Sequence, residues 1–376
     1  MIMNDKIRVG LQIRNQRVRW DFEEVLSPFN ELSLQEFAPD KSYDLLILEI
    51  GEDLEKDFER VQSIQNSGLV QDIFLTSSRL EPELLIRALR AGAREFIPQP
   101  VKKEEVKAAI KGLIERKEEG ERISKKKDKK GKIINMIGSK GGVGTTTIAV
   151  NLATSLAKVP LHHASVVLLD MNSLFGEIPI FLDIQPDFNW AEVVRNISRL
   201  DSHYLMSILC KHKSGIHVLP SPTGLDGIGA STPEFFEKIL ELMKQVFDFI
   251  VIDGGQSLDS VSLKILEMSD FLFLIGIMSL PCLTNLKRFL GIFEKLGYPE
   301  NEKIKIIINR YHRKSLISLK DAEGVLSRKI FGLIDNDYPT TMSAINQGKT
   351  LESVAPGAEV TKNIAHIAST FFALKK

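Results

Sequence analysis

The chain has little of what would staple a small secreted fold or build a metal centre. Its 376 residues include two cysteines (Cys210 and Cys282), two tryptophans and seven histidines. Two cysteines exclude a disulfide framework and point to a reducing cytoplasm. No zinc spacing and no catalytic His/Cys/Asp constellation is legible; His162 and His163 adjoin with no further ligand nearby and read as an exposed pair. Long hydrophobic runs are missing too. The longest, Phe271–Met278, falls far short of the roughly 20 residues of a membrane-crossing helix and reads as a strand buried on both faces. The opening MIMNDKIRVGLQIRNQ lacks the apolar core of a signal peptide. Charge of one sign is also lacking, because 49 Lys and Arg balance 49 Asp and Glu. No polyanion would be recruited by the chain as a whole.

What remains is ordinary for a globular protein: 43% apolar and 26% charged residues, which excludes global disorder. The length suits two or three domains. The zero charge hides a pattern, with residues 1–118 at −4, residues 119–132 at +4 and the remainder at zero. The basic stretch EGERISKKKDKKGK has almost no apolar residues and reads as a solvated tether over 119–131. It separates a first domain (1–118) from a second (132–376).

In the first domain, Lys6–Ile13, Ser42–Ile50, Asp72–Ser78 and Arg94–Pro100 have the composition of strands. Glu81–Ala93 and Lys102–Lys117 carry apolar residues at helical spacing. Alternating strands and helices predict a parallel sheet covered on both faces. In the second, the apolar Lys132–Gly138 runs into SKGGVGTTT and then into a stretch with Ile148, Leu152 and Leu156 on one helical face. Glycines let backbone N–H groups converge on phosphate oxygens, and a helix N-terminus adds partial positive charge. Strands ending in Asp170 (VVLLD) and Asp253 (FIVID) place two carboxylates where a phosphate-loop protein needs them. Lys303–Lys314 is a strand leading to Asn309-Arg310, and the Asp335–Asp337 loop follows.

The layout of the first domain resembles a response-regulator receiver, with its chemistry replaced. Glu49 stands for the phosphorylatable Asp, Leu11-Gln12 for the acidic pair and Gln99 for the Lys, while Thr76 ends a strand. The resemblance implies a pseudo-receiver used for contacts. The loop of the second domain resembles the deviant Walker A motif of the MinD/ParA family, KGGVGKTT, with Thr145 at the loop-lysine position. It implies an ATP/ADP cradle of Lys140, Gly141, Gly142, Val143, Gly144, Thr145, Thr146 and Thr147, with Asn309 reading the adenine edge. Thr146 and Asp253 would hold Mg²⁺, and Lys140 would reach a partner's nucleotide across a homodimer. Lys140 and Asp170 are the catalytic candidates, and the family's second carboxylate is the amide Asn172. Losing the loop lysine weakens binding by about one to two decades without abolishing it.

Taken along nearly its whole length, the chain is similar to the CpaE/TadZ proteins of Flp/Tad (type IVc) pilus assembly. The more specific segments are SKGGVGTTTIAVNLA, FGEIPIFLDIQP, KHKSGIHVLPSP and NDYPTTMSAINQGKTL. The resemblance implies an α/β fold of two three-layer parallel-sheet domains, a flavodoxin-like pseudo-receiver followed by a MinD/ParA-type P-loop NTPase. The expected role is a cytoplasmic, ATP-dimerising scaffold recruited to a cell pole or the inner-membrane assembly site, with slow or lost hydrolysis. Pilus-assembly or secretion proteins would bind the receiver-like domain. Three alternatives stay open: a DNA-segregating ATPase, a membrane-bound MinD-like ATPase and a phosphorelay regulator. Nucleic acid is not expected from a neutral ATPase domain. Membrane contact would be indirect at most, because the apolar face Val360, Ile364, Ile367, Ala368, Phe371 and Phe372 reads as core packing, and the charged residues after it are Lys375 and Lys376.

Overall fold

Alternating strands and helices produce two separate parallel sheets. The computed structural model describes residues 6–79, 81–124, 130–159, 164–172, 176–195, 200–222 and 231–373. It divides into two compact units, Met1–Glu121 and Arg122–Lys376.

The first unit runs β1 (Ile7–Gln12), α1 (Gln16–Leu26), β2 (Leu32–Glu36), β3 (Tyr43–Glu49), α2 (Leu54–Ser67), β4 (Val70–Ser77), α3 (Pro82–Arg90), β5 (Glu95–Pro98) and α4 (Lys103–Ser124). Its sheet order is β2-β1-β3-β4-β5, with every pairing parallel. That is the flavodoxin-like doubly wound order, whose switch point lies between the carboxyl ends of β1 and β3. Strands buried on both faces need continuous apolar runs, and β3 supplies one, with Leu45, Leu46 and Ile47 inaccessible to solvent. The sequence reading missed α1, β2 and α2. Of β2 only Leu32 is fully buried, whereas α1 does carry a regular buried stripe of Val18, Phe22, Val25 and Leu26, with Trp20 exposed on the opposite face. The boundary also moves. Because α4 continues through Ser124, the segment expected to be a tether from 119 begins as helix, and its residues 125–129 lie outside the described ones.

The second unit runs β6 (Lys132–Gly138), α5 (Thr145–Lys158), β7 (Val166–Asp170), α6 (Ile178–Leu182), α7 (Trp190–Arg195), α8 (Ser202–Ile208), β8 (Cys210–Lys211), β9 (His217–Leu219), α9 (Pro233–Val246), β10 (Phe249–Asp253), α10 (Ser260–Met268), β11 (Phe271–Gly276), α11 (Leu280–Leu296), β12 (Ile304–Tyr311), α12 (Leu319–Leu326), β13 (Ile330–Asp335), α13 (Tyr338–Asn346), α14 (Leu351–Val354) and α15 (Glu359–Ala373). Among the described residues eight strands lie in the order β13-β12-β11-β6-β10-β7-β9-β8, and only β8 and β9 pair antiparallel.

Both faces of this sheet are covered. Ile148, Leu152 and Leu156 of α5 share one cluster with Val360, Ile364, Ile367, Ala368 and Phe371 of α15. The Phe371 ring meets those of Phe249, Phe271 and Phe273 at 5.8, 4.4 and 5.9 Å. The apolar stripe near the C-terminus is therefore core. The Phe372 side chain, Lys375–Lys376 and His162–His163 lie outside the described residues. No helix among the described residues is long and apolar enough to cross a membrane.

At the switch point of the first unit the chain supplies its own anion. Glu49 Oε2 accepts the backbone N–H groups of Arg14 (2.7 Å) and Asn15 (2.9 Å), and Oε1 accepts Gln99 Nε2 (3.2 Å). Gln99 also donates to Thr76 Oγ1 at 3.4 Å. The buried Asp57 carboxylate accepts Arg14 Nη2 and the Gly51 N–H, both at 2.7 Å. These bonds join the loops that follow β1, β3 and β5. Removing a charged acceptor costs about 1.5–3 kcal/mol. Glu49→Ala is therefore expected to destabilise this unit by about that much and to speed hydrogen exchange at the Arg14 and Asn15 amides. Unchanged exchange at both would show that Glu49 is not their acceptor in solution.

Candidate functional site

The strand ends of the second unit converge on the loop Ser139–Thr147, which follows the central β6. Its turns need glycine: Gly142 (φ +76°) and Gly144 (φ +94°) lie in the left-handed region, where a Cβ is disfavoured. Gly144 is the N-cap of α5, so the first amides of that helix open onto the loop with no capping side chain. Such amides are a ready anion site. The cradle is open: nothing lies within 4 Å of a Cβ built on Gly142, and only Gln256 Nε2, at 3.8 Å, approaches one on Gly141. Lys140, Gly141 and Gly142 are exposed, and Lys140 has no ion pair among the described residues. Val143 is buried in the core beneath.

The loop carbonyls are tied down from later parts of the chain. Asn285 Nδ2 of α11 donates to Ser139 O at 2.9 Å. Asn309 Nδ2 donates to Val143 O at 2.8 Å, and Arg310 Nη2 to Gly142 O at 2.9 Å. One of the two N–H groups of Asn309 is used on the loop backbone beside Gly144, and its other N–H and its carbonyl remain. Asn309 and Arg310 line a pocket of about 70 Å³ with Gly144, Thr147, Asp337 and Tyr338. The Asp335–Asp337 loop lines the same pocket.

The carboxylates stand side by side, because Asp253 and Asp170 are register partners at the ends of β10 and β7. Thr146 Oγ1 donates to Asp253 Oδ2 at 2.5 Å. A hydroxyl beside a carboxylate under a phosphate cradle suits a Mg²⁺–nucleotide pair, so the donor set fits that group. Burial pushes the Asp253 carboxyl up, opposed by the Thr146 hydroxyl. Asp170 is 1% exposed, and its Oδ2 has no hydrogen-bond partner among the described residues. Its carboxyl is pushed up to about 7; burial dominates, the Asn172 N–H opposes and the Asp253 charge adds. Thr145, at the loop-lysine position, is the first residue of α5 and is half-buried, its hydroxyl against Gly138. Residues 173–175 of the loop after Asn172 lie outside the described residues.

Comparison with known proteins fits this geometry. A family model for the AAA domain matches residues 131–306. The septum site-determining protein MinD of Thermotoga maritima is 25% identical over 248 residues, which cover 63% of this chain and 87% of that protein. A ParA family ATPase from Chlorobium tepidum has a TM-score of 0.60 at 26% identity, over 63% of this chain and 98% of that one. The second unit is similar in sequence and in fold to MinD/ParA ATPases. MinD from Pyrococcus horikoshii, solved with Mg-ADP, shares the fold with a TM-score of 0.57 at 19% identity, over 65% of this chain and 97% of its own. Within this MinD/ParA-like domain the sequence located Lys140, Thr145, Thr146, Asp170 and Asp253. It missed Asn285, and it named Arg310 without a role. A left-handed arginine and a lone helical asparagine leave no pattern in sequence.

Asp170 gives the domain a pH signature. Its carboxyl titrates near 3.8 when unfolded and near 7 when folded, so between those values the native chain holds the extra proton. Stability therefore falls as pH rises from about 4 to 7, by at most about 4 kcal/mol. Asp170→Asn should remove this slope, so that urea unfolding without nucleotide or Mg²⁺ finds the variant gaining on wild type between pH 5 and pH 8. A difference independent of pH would refute a raised Asp170.

Proposed function

We propose that the chain binds ATP with Mg²⁺, dimerises around it and acts as a localisation scaffold for Flp/Tad (type IVc) pilus assembly, with little or no turnover. One observation carries the reading. The cradle, its glycine turns and the Thr146–Asp253 pair are intact, while Thr145 takes the place of the loop lysine. A loop of this kind binds nucleotide through its backbone and lacks one charge-assisted contact to the β/γ phosphates. Asn172 supports the same reading, because an amide cannot accept a proton from an attacking water. The MinD solved with Mg-ADP supports the cofactor.

The dimer reading rests on Lys140, which is exposed at the rim of an open loop and available to a second copy's nucleotide. The receiver-like first unit would hold the pilus-assembly or secretion partners. Its switch point is filled by Glu49, so it serves contacts rather than phosphotransfer. A membrane-binding helix is disfavoured, since the apolar face of α15 is already packed. Assembly at a pole or at the inner membrane would then come through a partner.

Light scattering with ADP, with ATP–Mg²⁺ and without nucleotide tests the dimer. Wild type should double its mass with ATP–Mg²⁺ alone, and Lys140→Ala should stay monomeric. Monomer mass in every condition removes the sandwich. The pathway is tested in cells: deletion should abolish pili, with wild type restoring them and Lys140→Ala failing. Normal piliation in the deletion strain would remove the pilus assignment and leave the nucleotide site standing.

A further inference from the structure

Where β12 passes the phosphate loop it is irregular. Its register against β13 shifts between Ile306 and Ile307 and again between Ile308 and Tyr311. Arg310 lies inside the second shift with φ +50°, one of three non-glycine residues in the left-handed region among the described residues. A side chain with a Cβ holds that conformation only where its surroundings impose it, and bulges re-aim side chains beside functional sites. In a regular strand consecutive side chains point to opposite faces. Here Asn309 and Arg310 reach the same target, bonding the consecutive carbonyls of Val143 and Gly142.

A phosphate loop can hold its own carbonyls with neutral groups, as Asn285 and Asn309 show. A guanidinium brings a permanent charge and five donors, of which the Gly142 carbonyl uses one. Arg310 is exposed, has no ion pair among the described residues and lines the pocket with Gly144 and Thr147. The same loop lacks a cation at Thr145, the position from which a phosphate-loop lysine acts. We propose that Arg310 is a nucleotide-binding residue, aimed by the β12 bulge, that supplies bound ATP or ADP with positive charge that Thr145 does not.

The proposal rests on the nucleotide-binding reading above, and a double-mutant cycle separates the two. Calorimetry would measure Mg-ADP and Mg-ATP binding to wild type, Arg310→Gly, Thr145→Lys and the double variant. Glycine keeps the left-handed backbone while removing the guanidinium, so the melting point without nucleotide reports whether the fold survives. Arg310→Gly should weaken binding about ten- to hundredfold, the loss of one charge-assisted contact. Arg310→Lys should recover part of that loss. Thr145→Lys should gain more in the Arg310→Gly background than in wild type, because the two cations would serve one ligand. Equal gains in both backgrounds mean that Arg310 is only a brace for the loop and overturn the proposal, as does an Arg310→Gly variant that binds like wild type. Absence of binding by wild type at millimolar nucleotide overturns the nucleotide reading and this role with it.

Discussion

A phosphate loop has to turn its backbone N–H groups toward a ligand, and this leaves its carbonyls facing the protein, where each needs a partner. That constraint organises the second unit. Ser139, Gly142 and Val143 come early in the domain, but their carbonyls are satisfied by Asn285, Arg310 and Asn309. The partners lie 146 to 168 positions further along the chain. The loop can therefore take its shape only after β11 and β12 have added to β6. The register of β6 against β10 and β11, together with Gly142 and Gly144, sets where the cradle opens. Anything that loosens β12 loosens the loop, with no change in the other residues that would touch a phosphate.

The two units use the same architectural position in opposite ways. In a doubly wound sheet the carboxyl ends of the strands form a crevice that suits ligands. The second unit leaves that crevice open, with Lys140, Gly141 and Gly142 exposed around it. The first unit closes its own with the Glu49 carboxylate on two loop amides and with Asp57 on Arg14 and Gly51. An incoming phosphoryl group or divalent cation would have to displace side chains already hydrogen-bonded there. The first unit is therefore built to hold one arrangement of those loops, whereas the second is built to receive something.

Legibility in the sequence followed burial. β3, β6, β10 and β11 are buried on both faces, which demands unbroken apolar runs, and those were plain in the sequence. β2 sits at an edge with a single fully buried residue and leaves no periodicity to read. The loop and its acids were legible because phosphate binding restricts residue type at fixed spacing: glycine where φ is positive, a hydroxyl on the first turn of the helix, a carboxylate at a strand end. The supports were not. Asn285 and Arg310 act through positions that only the finished sheet brings near the loop, and the left-handed φ of Arg310 comes from a register shift in β12. The extent of α4 was misjudged for a related reason, since Lys- and Glu-rich sequence suits an exposed helix as well as it suits a tether.

The chemistry that this site favours follows from where charge is placed. Asp170 and Asp253 are adjacent and buried, and burial raises both carboxyls, so without a cation the pair resists carrying two negative charges. A divalent cation held at Asp253, as proposed, would relieve that resistance, which would tie metal binding to the ionisation of its neighbour. Turnover asks for more: a group that takes or orients a proton on the attacking water, and a cation that follows charge as it develops on the leaving phosphate. Asn172 and Thr145 stand where the resemblance would put those two functions; an amide cannot take the proton, and a hydroxyl brings no cation. Binding energy drawn from the backbone cradle remains available, since it depends on Gly142, Gly144 and the amides of α5 rather than on either substituted residue. On the proposed reading, a site that keeps these binding terms and weakens the catalytic ones would hold its nucleotide for long, and a long-lived nucleotide is what a protein needs if its bound state is to mark a place.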